Sequence, residues 1–199
     1  MRAIHRAIVL AAALLPMVAR AQEGELKLSA QGPSKLWVEG TSSVRDWKCD
    51  ATTIEATVTG AGAAASASAK EVGAAAKHAL LTIPVAQLDC HNGTMNEHMR
   101  KALKANDNKT IQYRIATWEL TPRSDDSASV KTSGTLVMAG AEKPITVDLV
   151  AKRGAAGSWA LTGSRTLQMT EWGIKPPSLM FGTMKVRDPV TIRFQLEMK

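Results

Sequence analysis

The last ten residues alternate without exception, with Val190, Ile192, Phe194, Leu196 and Met198 on one side and Thr191, Arg193, Gln195, Glu197 and Lys199 on the other. A period of two is a half-buried β-strand rather than a helix. A chain that ends on such a strand needs a sheet to receive it. Upstream, Trp172-Gly173-Ile174-Lys175-Pro176-Pro177 is apolar but broken by glycine and paired prolines, which predicts a rigid loop packed on that sheet.

The same period recurs along most of the chain. After a frayed start, in which only Leu26 and Leu28 alternate, Leu36 and Val38 oppose Trp37 and Glu39. Trp47 and Cys49 share a face of the next short strand, and Ile54, Ala56 and Val58 alternate with polar residues in a longer one. Leu81, Ile83 and Val85 alternate next, with Pro84 predicting an edge strand. Between Thr110 and Leu120 the inward set shifts from Ile111, Tyr113 and Ile115 to Trp118 and Leu120, a phase change that predicts a bulge. Val130, Leu136 and Met138, then Ile145, Val147, Leu149 and Ala151, flank a turn at residues 139–144 and predict a hairpin. Trp159, Leu161 and Leu167 carry the pattern towards the C-terminal block.

Two stretches break it. Asp89 to Lys104 reads as a helix, with Thr94 and Glu97 forming a capping box and Met95, Met99, Ala102 and Leu103 on one face. That stripe suits either ordinary core packing or an adaptable apolar site. Residues 61–79 are rich in alanine, glycine and serine. With almost no large side chains to anchor a helix, they read as a flexible, dispensable insertion or a poorly anchored outer helix.

About eight strands, joined mostly by short turns and interrupted by one inserted helix, predict an all-β, antiparallel, up-and-down barrel that curls to remove its edges. Such a barrel can hold one apolar ligand.

Composition narrows the function classes. The first 21 residues pair Arg2 and Arg6 with an apolar run and end on Ala19-Arg20-Ala21. This is the form of a secretory signal peptide. It leaves residues 22–199 as one exported domain, periplasmic or secreted, without a membrane-spanning segment. Without Arg2, Arg6 and Arg20 the 25 basic residues fall to 22 against 18 acidic ones. Such a mild, interspersed excess does not suit nucleic acid. Cys49 and Cys90 make an even count of two, and export favours their pairing over two buried thiols. No G-x-S-x-G elbow is present, and His78, His91 and His98 lack the i, i+4 spacing of a zinc helix. The chain therefore reads as no enzyme and as holding no metal.

Three segments, in order, carry a family resemblance. They are Ile83-Pro84-Val85 through His98-Met99-Arg100, Ser133 to Met138 followed by Glu142-Lys143-Pro144-Ile145-Thr146-Val147, and Thr170-Glu171-Trp172-Gly173-Ile174-Lys175-Pro176-Pro177. From about Gly32 to Lys199 the chain resembles the YceI-like family of secreted, lipocalin-like lipid-binding proteins. The second segment resembles that family's G-x-L-x-x-x-G-x-x-K-P-V hairpin, and the third its T-D-F-G-I stretch. The resemblance implies a barrel that takes a polyisoprenoid, quinone-like or similar amphiphilic lipid and does no chemistry on it, with no other cofactor. Where family members carry Arg-Asp-x-His before the helix, this chain has Met95-Asn96-Glu97-His98. Only His98 and Arg100 carry over there.

Alternation, the helix stripe and the C-terminal loop nominate Met99, Leu103, Ile115, Leu136, Met138, Trp172, Ile174, Met180, Phe181 and Phe194 as contacts for the apolar chain. His98, Arg100 and Arg45, at the helix start and in a turn, are candidates for its polar head. The other readings are a solid-cored interaction module with no lipid and, for assembly, a homodimer.

Overall fold

The computed structural model describes residues 25–62, 67–179 and 183–199. The signal peptide expected at residues 1–21, and the candidate contacts Met180 and Phe181, lie outside the described residues. In chain order the elements are β1 (Glu25–Ser29), β2 (Lys35–Ser42), β3 (Asp46–Ala51), β4 (Glu55–Ala61), α1 (Ala69–Ala75), β5 (Ala76–Pro84) and β6 (Leu88–Asp89). They continue as α2 (Gly93–Ala102), β7 (Thr110–Ser124), β8 (Ser127–Met138), β9 (Ala141–Arg153), β10 (Trp159–Gln168), β11 (Ser178–Leu179) and β12 (Met184–Met198). A single 3-10 turn, Met169–Trp172, follows β10.

All strand pairs are antiparallel, in the order β1-β4-β5-β7-β8-β9-β10-β12-β2-β3-β6, with β11 beside β12. The described residues thus form twelve strands, not about eight. At one end of the barrel the sheet closes on itself: Ser29 and Lys199 exchange backbone hydrogen bonds of 2.9 and 3.0 Å, and Ala30 bridges Met198. The edge of β12 that β2 occupies along Gln195 to Val186 is taken beyond Gln195 by the chain leaving β1. The two-residue β6, paired to β3, ends the sheet at the open end.

The phase change in β7 is a register shift between Ile115 and Thr117. It keeps Tyr113, Ile115, Trp118 and Leu120 all turned inward. The β8–β9 hairpin pairs from Met138↔Ala141 to Ser127↔Lys152. Pro84 does not mark an edge, because β5 lies between β4 and β7. Its missing N–H is tolerated because β4 ends opposite Thr82, leaving Pro84 a neighbour on the β7 side alone.

Of the stretch expected to be a loose insertion, residues 67–79 differ most from expectation. Residues 69–75 are a docked helix, and 76–79 already belong to β5. Ser68 caps α1 and forms a capping box with Glu71, whose carboxylate accepts from the Ser68 N–H at 2.8 Å. Ala69 and Ala75 are buried. At Gly73 an added Cβ would come within 2.6 Å of Leu120 Cδ1, so the absent side chain is what lets the helix approach β7. The Trp118 indole N–H then donates to the Gly73 carbonyl at 2.9 Å. The anchors are supplied by the sheet, which is why the alanines and glycine of the helix looked unable to hold it. Together with Leu28, Val58, Trp159, Leu161 and Met198, α1 seals the closed end and leaves a void of only about 80 Å³.

Candidate functional site

At the opposite end the barrel is hollow, with a cavity of about 560 Å³. Native interiors rarely leave voids larger than a water molecule, whereas this volume lies in the range of sites that hold one small organic ligand. Its walls follow from strand alternation. Leu36 and Val38 of β2, Leu81 and Ile83 of β5, Ile111 and Tyr113 of β7, Leu136 and Met138 of β8, Leu167 of β10, and Val190 and Ile192 of β12 all turn inward. Trp47 of β3 joins them by lying over Gly40, where an added Cβ would meet its ring at 2.4 Å. The cover is α2, with Met95, His98, Met99 and Ala102, and its C-cap Leu103, together with Met169, Ile174 and Pro177 from the segment after β10.

None of the residues of α2 is fully buried. Polar groups and a disulfide hold it instead. Asn92, in extended conformation, is its N-cap and accepts from the Met95 N–H at 3.0 Å. The expected Thr94–Glu97 capping box does not form, because Thr94 already lies inside the first turn. Asn96 reaches back, accepting the Cys90 N–H at 2.7 Å and donating to Asp89 at 2.9 Å. Cys90 is joined to Cys49 of β3, 41 residues earlier, and the Cys90 sulfur lies 3.8 Å from that of Met99. Both cysteines line the cavity, so the disulfide is part of its wall.

Beside it, His91 Nε2 meets Asp50 at 2.8 Å and Nδ1 lies 3.5 Å from Asp89. The hydrogen bond that His91 donates to Asp50 and the charge of Asp89 raise the His91 pKa above its ordinary value. The Asn96 side chain and the His91 N–H hold the Asp89 carboxyl below the usual carboxylate range. For Asp50, partial burial pushes upward, but hydrogen bonds and charge from Lys48 and His91 outweigh it and the net shift is down.

Behind the cavity wall a buried polar chain starts at the lining residue Tyr113 and is self-contained. Tyr113 Oη donates to Thr132 Oγ1 at 3.0 Å, and Thr132 in turn donates to the Val147 carbonyl at 3.0 Å. Burial raises the phenol's pKa, against the opposing effects of Thr132 and Arg165. The remaining polar lining groups, Ser42, Arg45, Asn92, Thr94 and His98, come from the β2–β3 turn and the start of α2 and mark the mouth.

Of the residues nominated from sequence, Met99, Leu103, Leu136, Met138, Ile174, His98 and Arg45 line this cavity. Ile115 and Phe194 share the inward face but sit deeper, packed into the hydrophobic core, and Phe194 rests against Gly163. Trp172 is buried in that core behind the lining, and Arg100 points from α2 into solvent. Alternation specifies which face a residue takes but not how far along the barrel it sits, so Ile115 and Phe194 differ from expectation in depth, whereas Arg100 differs in face. The same limit left out Val38, Ile83, Ile111, Tyr113, Val190 and Ile192, each already legible as inward. The disulfide's place in the wall had no sequence signal beyond the pairing itself.

Residues 37–198 match the YceI-like domain. Solved structures show the same fold at low identity. BcnA of Burkholderia cenocepacia is 16% identical, with a TM-score of 0.65, covering 82% of this chain and 95% of its own. A polyisoprenoid-binding domain from Saccharophagus degradans, implicated in plant cell wall breakdown, is 12% identical, with a TM-score of 0.60 and coverages of 87% and 97%. The YCEI protein of Campylobacter jejuni is 16% identical, with a TM-score of 0.55 and coverages of 75% and 82%. No curated protein sequence matches the chain.

Proposed function

Because this chain belongs to the YceI-like domain family, we propose that it is a non-catalytic binding protein that holds an isoprenoid or similar amphiphilic chain in its barrel, for transport or storage. The observation that carries this reading is the cavity of about 560 Å³, sealed behind by α1 and lined almost wholly by hydrocarbon and sulfur. Unbranched methionine side chains adapt to a flexible ligand, and five of them, Met95, Met99, Met138, Met169 and Met184, are in the lining. The similarity to a domain described as polyisoprenoid-binding points the same way. Arg45 and His98, which line the cavity, would meet the polar head in this reading, and Arg100, exposed on α2, would not. The signal-like N-terminus supports export, to the periplasm or outside the cell, and N-terminal sequencing of the mature chain tests that part.

The main test is to purify the mature protein, extract it with organic solvent and analyse the extract by mass spectrometry. A single class of long-chain amphiphile, recovered near one per protein, is the expected result. An empty extract, together with no uptake of isoprenoid alcohols or fatty acids from detergent, would sink the proposal.

A further inference from the structure

Among the described residues, Val44 is the most exposed large apolar side chain, at 64%, and it stands at the tip of the turn whose Ser42 and Arg45 line the cavity mouth. It is not there by slackness. Ser42 Oγ accepts from the N–H groups of Val44 and Arg45 at 3.2 and 3.1 Å, and the Ser42 N–H donates to the Arg45 carbonyl at 3.0 Å. Ser43 ties the turn to β12, donating through its N–H to the Lys185 carbonyl at 2.9 Å and accepting the Lys185 N–H at 3.0 Å. A rigid turn thus holds an apolar side chain in water beside the entrance to an apolar cavity.

Bases outnumber acids around that entrance. Within the mouth segments 42–46, 92–101, 169–178 and 183–188 the bases are Arg45, Arg100, Lys101, Lys175, Lys185 and Arg187, and the acids are Asp46, Glu97, Glu171 and Asp188, the last already accepting from the Thr170 N–H and hydroxyl. Lys175, Lys185 and Arg187 are exposed and have no ion-pair partner among the described residues. Elsewhere on the barrel acids answer bases, as in the outer row Glu119↔Lys131↔Asp148 across β7, β8 and β9.

From this arrangement we infer that the mouth of the barrel docks on the surface of an anionic phospholipid bilayer, with Val44 entering the interface and Lys185, Arg187 and Lys175 meeting the headgroups. This rests on the lipid-binding reading for its purpose. A chain crossing water between bilayer and cavity would be slowed about fourfold for each methylene exposed on the way. A mouth seated on the membrane removes that gap. A soluble polyanion would use the bases alone and give Val44 nothing to do, whereas an apolar side chain beside bases is the pattern of an interfacial anchor.

The test is flotation of the mature protein with vesicles of phosphatidylcholine, with and without phosphatidylglycerol, at low and physiological salt. The wild type is expected to float with the anionic vesicles only, and less at higher salt. Lys185→Glu with Arg187→Glu should weaken this more than tenfold, at about fivefold or more per charge, and Val44→Asp several-fold. The control is Lys70→Glu with Lys131→Glu, the same change of net charge on α1 and the outer sheet, which should leave flotation nearly unchanged. The inference is overturned if the wild type does not float, if the control double variant loses as much as the mouth variant, or if Val44→Asp has no effect. Solvent extraction of the same samples keeps the two proposals apart. Protein that floats but carries and takes up no lipid leaves the docking surface standing and removes the cavity reading, and lipid-loaded protein that does not float does the reverse.

Discussion

The two ends of the barrel are each covered by a helix, and the two helices hold on in opposite ways. The sheet is closed beneath α1, the helix approaches through small residues, and Trp118, Leu120, Trp159 and Met198 fill the remaining space. Beneath α2 the sheet is open, no residue of the helix is fully buried, and a disulfide and a polar clasp do what packing does at the other end. A helix held by packing needs a filled interior. A helix pinned at its N-terminus by covalent and polar contacts can cover an empty one, so the difference in attachment is what makes a cavity compatible with a stable fold.

The largest expected effect separates the ends directly. Leu26, fully buried at the closed end, and Leu136, which faces the cavity, are chemically identical truncation sites. Leu26→Ala should cost about 3 to 5 kcal/mol, because neighbours surround it on all sides. Leu136→Ala should fall at the low end, about 2 kcal/mol, since part of its surface already meets a void. Urea titration of both variants checks this, and equal losses would mean that the cavity is filled in solution. Next comes the disulfide. Replacing both Cys49 and Cys90 by Ser releases a loop of 41 residues and should cost up to about 4 kcal/mol in the chain-entropy model. Calorimetry measures the total, and the added mobility should concentrate at β6 and α2, leaving amide protection at α1 unchanged.

Smaller effects sharpen the contrast. Trp118→Phe keeps most of the ring but removes the hydrogen bond to the Gly73 carbonyl, and should cost about 1 kcal/mol at the closed end. Met138→Trp adds bulk at the open end. In a packed core it would destabilise by about 1 to 3 kcal/mol, whereas facing the cavity it should cost less than about 1 kcal/mol while abolishing lipid uptake. Melting curves read against uptake of a fluorescent isoprenoid analogue decide between these outcomes.

How much of this was legible in the sequence follows the same division. Period-two alternation revealed the inward faces of β2, β4, β5, β7, β8, β9 and β12, and the shift at Ile115 and Thr117 revealed the β7 bulge. Both are local patterns that survive without knowledge of the partner strand. The pairing of Cys49 with Cys90 could also be read, from an even count beside a signal-like N-terminus. Which end of the barrel is hollow could not. That depends on α1, whose anchors lie far away in sequence at Trp118 and Leu120, so residues 69–75 looked loose when only their own side chains were considered. Asn92 was passed over for Thr94 as the cap of α2, because the capping-box spacing is visible in sequence while the return of Asn96 to Asp89 and Cys90 is not. Depth along the barrel escaped for the same reason, and it misassigned Ile115 and Phe194 as cavity lining.

The smallest effect is a local one, at the clasp of α2. His91 is raised in pKa by the Asp50 hydrogen bond and the Asp89 charge. Its contribution to stability is therefore fully present below the unfolded value of about 6.5 and is lost as pH rises through the higher folded value. Asp50 and Asp89 are shifted down, so their contributions hold above the unfolded carboxylate range and disappear only as pH falls through their depressed folded values. The clasp is thus fully charged from mildly acidic pH up to that of unfolded histidine, and it weakens on the alkaline side first. All three groups are exposed or nearly so, and global stability should hardly respond. The response should appear where the clasp acts, in the first turn of α2. Amide exchange at residues 95–97, corrected for intrinsic rates, should be slower at pH 5.5 than at pH 8.5 in the wild type. In His91→Gln the difference should vanish, and in neither protein should α1 show it. A wild type and a His91→Gln variant with the same pH profile at α2 would mean that the disulfide and Asn96 hold the helix without help from the histidine.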